Sequence, residues 1–221
     1  MIGTSEQHEQ ARTELLAREK EHMRQGDELA RQRRELPWVP VEEDYVFQTT
    51  AGQRTLAELF DGRSQLIVYH FMFAPGTTDP CEGCSFLSDH LDGPMPHVNA
   101  RDITVKVVSR GELDELQAYR ERMGWRFDWV SSNGSSFNYD FGVSTPDPPE
   151  GWSGESPGLS AFVLQDGVVH HTYSVYDRGL EFVDTAYHLI DRSAYGRQEE
   201  GMAQPGSWWR RHDEYEGATS R

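Results

Sequence analysis

Hydrophobic positions follow different patterns in the two parts of the chain. Residues 9–35 are charged, lack proline and are rich in helix-forming residues. A narrow apolar stripe runs through this segment at Leu15, Leu16, Met23, Leu29 and Ala30. The spacing predicts an amphipathic helix that ends before Pro37 and Pro40. The stripe fits either a solvated helix packed along the rest of the protein or a contact between two copies of the chain, so a homodimer through this helix stays open.

Beyond Pro40 the pattern changes to short apolar runs separated by turns. Residues 64–73, SQLIVYHFMF, form a continuous run of the kind found in strands covered on both faces. Further strands are predicted at 45–50, 103–109, 125–132, 159–164 and 168–175, and helices at 55–62, 84–93, 111–124 and 181–192. Strands that alternate with helices predict parallel βαβ units, and the late hairpin adds an antiparallel edge. The expected fold class is α/β, a mixed sheet flanked by helices.

These patterns divide the chain into three predicted parts. Residues 1–40 form an N-terminal helical extension, residues 41–192 form the α/β domain, and residues 193–221 form a tail. The tail is polar except at GSWWRRHDEY, residues 206–215, where two tryptophans are adjacent. We expect Trp208 and Trp209 to dock the tail on the domain.

The net charge narrows the range of partners. The 221 residues include 21 Lys and Arg and 37 Asp and Glu, which gives a formal net charge of −16. A field of this sign repels phosphate groups, so neither nucleic acid nor a membrane surface is an expected partner. No apolar run approaches the roughly 20 residues that span a bilayer, and the polar first residues do not resemble a signal peptide. A cytoplasmic location is expected.

The cysteine content points to redox chemistry. Cys81 and Cys84 are the two cysteines of the chain, and they follow a predicted buried strand and a loop. A helix that starts there would offer free backbone N–H groups to a Cys81 thiolate. Cys84, one turn later, is close enough to resolve a mixed disulfide formed on Cys81. A C-x-x-C pair at a strand-to-helix turn is typical of thioredoxin-like redox proteins.

Two other interpretations of the pair are weaker. A zinc site needs two further ligands, and the chain has no second cysteine pair and no histidines at an obvious ligand spacing. The alternative of an inert thiol pair stays open. The carboxylates of Asp79 and Glu82 disfavour a thiolate on Cys81. We therefore expect a reducing couple, because a strongly stabilised thiolate is what makes an oxidant.

Longer stretches resemble known proteins. Residues 46–73, the CEGC motif and the hairpin LSAFVLQDGVVHHTY resemble the thioredoxin-like superfamily, in the layout of its alkyl-hydroperoxide-reductase and thiol-specific-antioxidant branch. In such folds a cis-proline precedes the last hairpin and faces the cysteines. The resemblance therefore makes Pro157 the nearest candidate for that proline.

The segments QLIVYHFMF, CEGCSF, RMGWRFDWVSSNGSSFNYDFGV and WWRRHDEY are similar to one bacterial domain-of-unknown-function family, over residues 11–215. That family is labelled as predicted dithiol–disulfide oxidoreductases of thioredoxin-like fold. Its members often carry proline after the first cysteine, where this chain has Glu82. Together with the motif, the resemblance implies that Cys81 attacks a protein or small-molecule disulfide and that Cys84 resolves the product. The chain has no dinucleotide or phosphate-loop motif, so no organic cofactor is expected.

Two alternative functions follow from other residues. Peroxiredoxins place a proline and a threonine before the reactive cysteine, and an arginine near it. Thr78 stands at the matching distance from Cys81, but Pro75 is one position late. Arg178 could supply the guanidinium or pair with a carboxylate.

The other alternative is a small-molecule binder or biosynthetic enzyme on the same scaffold. Aromatic and polar residues alternate in WRFDWVSSNGSSFNYDFGV, and they could line a pocket or fill the core. The candidate pocket residues are His70, Trp125, Trp129, Asn138 and Tyr139. His70 is included because its strand leads toward the cysteine loop, where a base would be useful.

Overall fold

A computed structural model describes residues 2–217, which form two compact units that divide between Trp38 and Val39. Within residues 2–217 no helix is both long enough and apolar enough to cross a membrane.

The N-terminal unit is built on helix α1 (Ser5–Arg33). A capping box starts it four residues before the segment predicted at 9–35. The Thr4 hydroxyl accepts the Gln7 N–H at 3.2 Å, and the Gln7 side chain accepts the Thr4 N–H at 2.9 Å. Ion pairs one turn apart, such as Glu21 with Arg24 at 2.7 Å, follow the helix. None of its 29 residues is buried.

The second unit contains a sheet of eight strands. The strands are β1 (Val39–Pro40), β2 (Val46–Thr49), β3 (Gly52–Thr55), β4 (Gln65–His70), β5 (Ile103–Ser109), β6 (Trp129–Ser131), β7 (Gly158–Gln165) and β8 (Val168–Tyr176). The helices are α2 (Glu82–Ser88), α3 (Met95–Asn99), α4 (Leu113–Arg122), α5 (Phe137–Asp140) and α6 (Thr185–Ile190), with 3₁₀ turns at Ala57–Phe60 and Asp177–Val183.

The sheet is mixed, as the sequence predicts. Its strand order is β1-β8-β7-β4-β5-β6-β2-β3. Strands β4, β5 and β6 are parallel to one another, and their crossovers contain α2, α3 and α4. The β7–β8 hairpin pairs antiparallel with β4. This arrangement places β4, which leads to the cysteines, at the centre of the sheet.

Side chains of β4 fill a hydrophobic cluster on each face of the sheet. Tyr69 and Phe71, which follows the strand, pack with residues of α2 and α4 in a cluster that also holds Cys84. Leu66 and Val68 pack in the opposite cluster, with the turn at Ala57–Phe60 and α5. Because alternate residues point to opposite faces of a strand, a strand covered on both faces reads as one continuous apolar run.

The strand predicted at 125–132 is shorter in the structure. Only Trp129–Ser131 pairs in the sheet. The N–H groups of Arg126 and Phe127 donate instead to the two oxygens of the Asp92 carboxylate, each at 2.9 Å. The Asp92 side chain thus accepts the backbone hydrogen bonds that a neighbouring strand would otherwise accept.

Candidate functional site

Cys81 is the N-cap residue of α2. Its Sγ accepts the backbone N–H of Cys84 at 3.3 Å. Its carbonyl oxygen accepts the N–H of Ser85 at 3.0 Å and the Ser85 hydroxyl at 2.9 Å. Cys81 is partly exposed, and both cysteines are free thiols. The first sulfur therefore meets the unpaired N–H groups of a helix start, which favour a thiolate.

The two thiols differ in proton affinity. Interaction with the Cys84 thiol, with help from the N–H groups of Cys84 and Gly83, lowers the pKa of Cys81 to about 7. Burial and the Glu82 carboxylate oppose this shift. Burial raises the pKa of Cys84 well above its ordinary value, and the neighbouring Cys81 adds to the effect. At neutral pH the partly exposed Cys81 therefore ionises more readily than the buried Cys84.

Tyr69 lies between the second thiol and other buried polar groups, since burial, Cys84 and Asp184 all raise the pKa of its hydroxyl. Tyr69 interacts with Cys84 and lowers the pKa of that thiol, against the larger effect of burial. Burial raises the pKa of Asp184, at the start of α6, to about 7. Its Oδ1 lies 3.9 Å from Nδ1 of His90, whose pKa burial lowers. Within residues 2–217, Tyr69 Oη, His90 Nδ1 and Asp184 Oδ1 have no hydrogen-bond partner.

Arginines from the tail pair with the two carboxylates beside the cysteines. Arg210 Nη1 lies 3.7 Å from Glu82 Oε1. Arg211 forms an ion pair with Asp79 and is only 6 % exposed. The carboxylates that the sequence places against the thiolate therefore have cationic partners. Sequence reasoning missed both arginines, although WWRR in an otherwise polar tail was the available signal.

Trp209 packs directly on the cysteine motif. Its ring stacks on Phe86 with centroids 5.4 Å apart and planes at 14°. A Cβ atom on Gly83 would lie 2.7 Å from Cζ3 of Trp209. Glycine at the second position between the cysteines is what allows this approach. The tail therefore covers part of the motif.

The structure shows the surroundings of three residues that the sequence predicts to support the cysteines. Thr78 is exposed in the loop before Cys81. Arg178 is paired with Glu181 at 2.8 Å, and its side chain is 74 % exposed. Pro157, the nearest candidate for the cis-proline, has a trans peptide bond, since no peptide bond in residues 2–217 is cis. The carbonyl of Pro157 instead accepts the N–H of Asp177, which extends the β7–β8 ladder by one bond.

The five candidate pocket residues do not share one cavity. Trp125 and Trp129 belong to the cluster that contains Cys84. His70 stacks on Phe137 of α5, which belongs to the opposite cluster. Asn138 is buried and accepts the Ser132 hydroxyl at 2.8 Å, while Tyr139 is partly exposed beneath the Arg110 guanidinium. The aromatic stretch thus fills the core of the domain on both faces.

Within residues 2–217 no group of three or more His, Cys, Asp or Glu side chains is arranged to hold a metal ion.

A mixed sheet with a C-x-x-C pair at the start of the helix that follows its central strand defines a protein of thioredoxin-like fold. Solved structures from Xanthomonas campestris share this fold. A cysteine-to-serine mutant of peroxiredoxin Q is 15 % identical with a TM-score of 0.50, over 69 % of this chain and 97 % of its own. Another peroxiredoxin Q structure is 16 % identical with a TM-score of 0.51, over 66 % and 93 %. A bacterioferritin comigratory protein is 15 % identical with a TM-score of 0.50, over 66 % and 94 %.

The family itself follows from the sequence match. The chain belongs to the family described as "Bacterial protein of unknown function (DUF899)", whose model matches residues 1–215. No curated protein matches the chain.

Proposed function

We propose that this protein is a thiol–disulfide oxidoreductase that uses Cys81 and Cys84. The observation that carries the proposal is the difference between the two thiols. Cys81 is partly exposed at a helix start with a pKa of about 7, whereas Cys84 is buried with a raised pKa. A partly exposed nucleophile beside a buried thiol with a raised pKa is the arrangement that a two-step exchange needs.

The exchange proceeds in two balanced steps. The Cys81 thiolate attacks one sulfur of a substrate disulfide, forms a mixed disulfide and releases the other sulfur as a thiolate. Cys84 then loses its proton and attacks Cys81 Sγ, which releases the second substrate thiolate and leaves a Cys81–Cys84 disulfide. Two electrons pass to the substrate. A dithiol reductant restores the pair, and no organic cofactor takes part.

The substrate is a protein or small-molecule disulfide. A net charge of −16 disfavours polyanionic partners and favours neutral or cationic ones. We expect a reducing couple suited to the cytoplasm, because a thiolate with a pKa of about 7 is far less stabilised than those of strong disulfide oxidants.

A thiol peroxidase is the second candidate, and the peroxiredoxin Q structures of the same fold favour it. In that reaction the Cys81 thiolate would attack a peroxide oxygen and become a sulfenic acid, which Cys84 would convert to a disulfide with release of water. Peroxiredoxins place an arginine near the reactive cysteine. Here the candidate arginine, Arg178, is paired with Glu181 instead. A non-redox ligand-binding protein is the third candidate.

The deciding experiment is a thiol-alkylation gel shift of the full chain across graded ratios of reduced to oxidised dithiothreitol. Cys81→Ser and Cys84→Ser serve as matched controls. A two-electron transition that both substitutions abolish supports the exchange reaction. Rapid oxidation by hydrogen peroxide at stoichiometric concentration would favour the peroxidase. If Cys81 and Cys84 form no disulfide at any ratio of reduced to oxidised dithiothreitol, both redox candidates fail.

The N-terminal helix is proposed as a homodimer contact. Leu15, Met23 and Leu29 of α1 are each more than half exposed. Burying such a stripe against a second copy removes apolar surface from water. Light scattering should show a dimer that Met23→Glu dissociates, whereas Ala17→Glu, which adds the same charge on the opposite face of the helix, should leave it intact. A monomer at all concentrations contradicts the proposal.

A further inference from the structure

The segment 206–215, which we call the C-terminal clasp, contacts the loop and helix that carry the cysteines. Trp209 lies against Gly83, and Arg210 lies near Glu82. Arg211 reaches the residues just before Cys81. Consecutive residues of the clasp therefore touch successive points of the motif. Arg211 and Asp79 are 132 positions apart along the chain, so their contact exists only in the folded protein.

Arg211 is the most deeply placed charge of the clasp. Its Nη2 donates to the Pro80 carbonyl and pairs with the Asp79 carboxylate. Its Nε donates to the Tyr119 hydroxyl at 2.9 Å, and its Nη1 pairs with Glu214 at 2.9 Å. A guanidinium that is 6 % exposed and engaged on every nitrogen has a fixed position.

A hydrogen-bond chain connects Arg211 to the backbone of the first cysteine. The Tyr119 hydroxyl lies 2.9 Å from the Ser85 hydroxyl. The Ser85 hydroxyl in turn donates to the Cys81 carbonyl at 2.9 Å. Arg211 thus holds the chain directly through Pro80, before the cysteine, and indirectly through α2, after it. These two attachments fix the peptide that carries the reactive sulfur.

We infer that Arg211 is a positioning residue for the Cys81 thiolate, because it holds the Pro80–Cys81 backbone and neutralises the Asp79 carboxylate. The inference rests on the proposed exchange reaction and adds a second element to its site. Asp79 lies two residues before Cys81, and its side chain is 86 % exposed. Without a cationic partner this carboxylate would oppose ionisation of the thiol. Arg211 therefore lets an acidic protein keep a reactive thiolate.

The test is the pH dependence of Cys81 alkylation by iodoacetamide, with the Cys81 peptide quantified by mass spectrometry. Arg211→Gln should raise the pKa of Cys81 by about one unit and slow alkylation at pH 6 by about tenfold. Arg211→Lys keeps the charge without the planar fork, so it should restore part of the rate. The matched control is Arg122→Gln, since Arg122 anchors the same segment through Asp213 at 2.9 Å and Glu214 at 3.0 Å.

A shift in Arg211→Gln that exceeds the shift in Arg122→Gln supports the inference. Equal shifts in the two variants overturn it, because Arg211 would then act only by fastening the clasp.

A second route starts from Asp79, whose single substitution leaves Arg211 in place. Asp79→Asn changes an exposed side chain and leaves Arg211 with Glu214 as its remaining carboxylate partner, so the pKa of Cys81 should fall and alkylation at pH 6 should accelerate about threefold. The double variant Arg211→Gln with Asp79→Asn removes both charges and should return toward the wild-type titration. An unchanged or slower rate in Asp79→Asn overturns the inference, as does a double variant that behaves like Arg211→Gln alone.

This titration is independent of the proposed function. Alkylation requires only the reduced thiol, whereas the exchange reaction requires the disulfide. If the thiols never pair while Arg211→Gln still shifts the titration, the proposed function fails and the positioning role stands. If the pair cycles normally while Arg211→Gln leaves the titration unchanged, the positioning role fails.

Discussion

Cys81 and Cys84 have the same side chain, yet their surroundings drive their pKa values in opposite directions. Cys81 faces N–H groups at the start of α2 and the Cys84 thiol, whereas Cys84 is 2 % exposed and has lost its hydration. Each thiol therefore depends on the other. Removing the buried cysteine changes the reactivity of the exposed one even before any disulfide chemistry occurs.

Cys84→Ala should raise the pKa of Cys81, because interaction with Cys84 is the largest cause that lowers it to about 7. The backbone N–H groups remain, so a rise of about one unit is expected, which slows alkylation of Cys81 at pH 6 by about tenfold. The measurement is the rate of alkylation between pH 5 and 9. Cys84→Ser, which keeps a donor, should have the smaller effect. A Cys84→Ala titration that coincides with that of the wild type would contradict this account.

Helix α2 and the C-terminal clasp depend on each other through one glycine. Gly83 leaves the space that the Trp209 ring occupies, and Phe86 stacks on the same ring one turn later. Gly206 also lies against this ring, near its Cζ2 and Cε2 atoms. The ring is therefore confined and has little room to move aside.

Gly83→Ala should loosen the clasp. A methyl group 2.7 Å from Trp209 forces the two elements apart and costs about 1–3 kcal/mol, which outweighs the gain of up to about 1 kcal/mol from alanine in a helix. Trypsin should then cleave faster after Arg210 and Arg211. Gly93→Ala is the matched control, because a Cβ there meets nothing within 4 Å. Equal cleavage rates in the two variants would refute the coupling.

Local patterns predict the elements of this fold better than they predict the site. The apolar run ITVKVVS forms β5 with the predicted bounds, because both of its faces are covered. The strand predicted at 125–132 is too long, because the Asp92 carboxylate, far away in sequence, takes its N–H groups. The position of the C-x-x-C pair could be predicted, because an apolar strand pattern, a loop and a helix pattern follow one another along the chain. The contact of Arg211 with Asp79 could not, since no periodicity relates residues 132 positions apart.

The molecule as a whole contains a carboxyl group whose ionisation opposes folding. Asp184 is 5 % exposed, and burial raises its pKa from 3.8 to about 7. The folded state therefore holds a proton that the unfolded chain releases between these values. The stability that this bound proton contributes to the folded state is fully present below about pH 4 and is lost as the pH rises through 7. The neighbouring His90 has a lowered pKa, so it supplies no charge to offset the loss.

Asp184→Asn should therefore stabilise the protein at pH 8 more than at pH 5, by about 2–3 kcal/mol in the free energy of unfolding. Urea unfolding at the two pH values measures the difference. Asp191→Asn is the control, since pairing with Arg197 lowers the pKa of Asp191 and places its titration below this window. A gain of the same size at both pH values would mean that the carboxyl group does not titrate in this range.

The borders of the sheet limit how a second polypeptide can be held. One outer strand, β1, has two residues, and one of them is Pro40, which has no N–H to donate. The other, β3, is four exposed residues, among them Arg54. Neither offers the long, flat backbone on which an incoming chain could continue the sheet. Under the proposed exchange reaction, a protein disulfide is therefore bound without adding a strand to either border of the sheet.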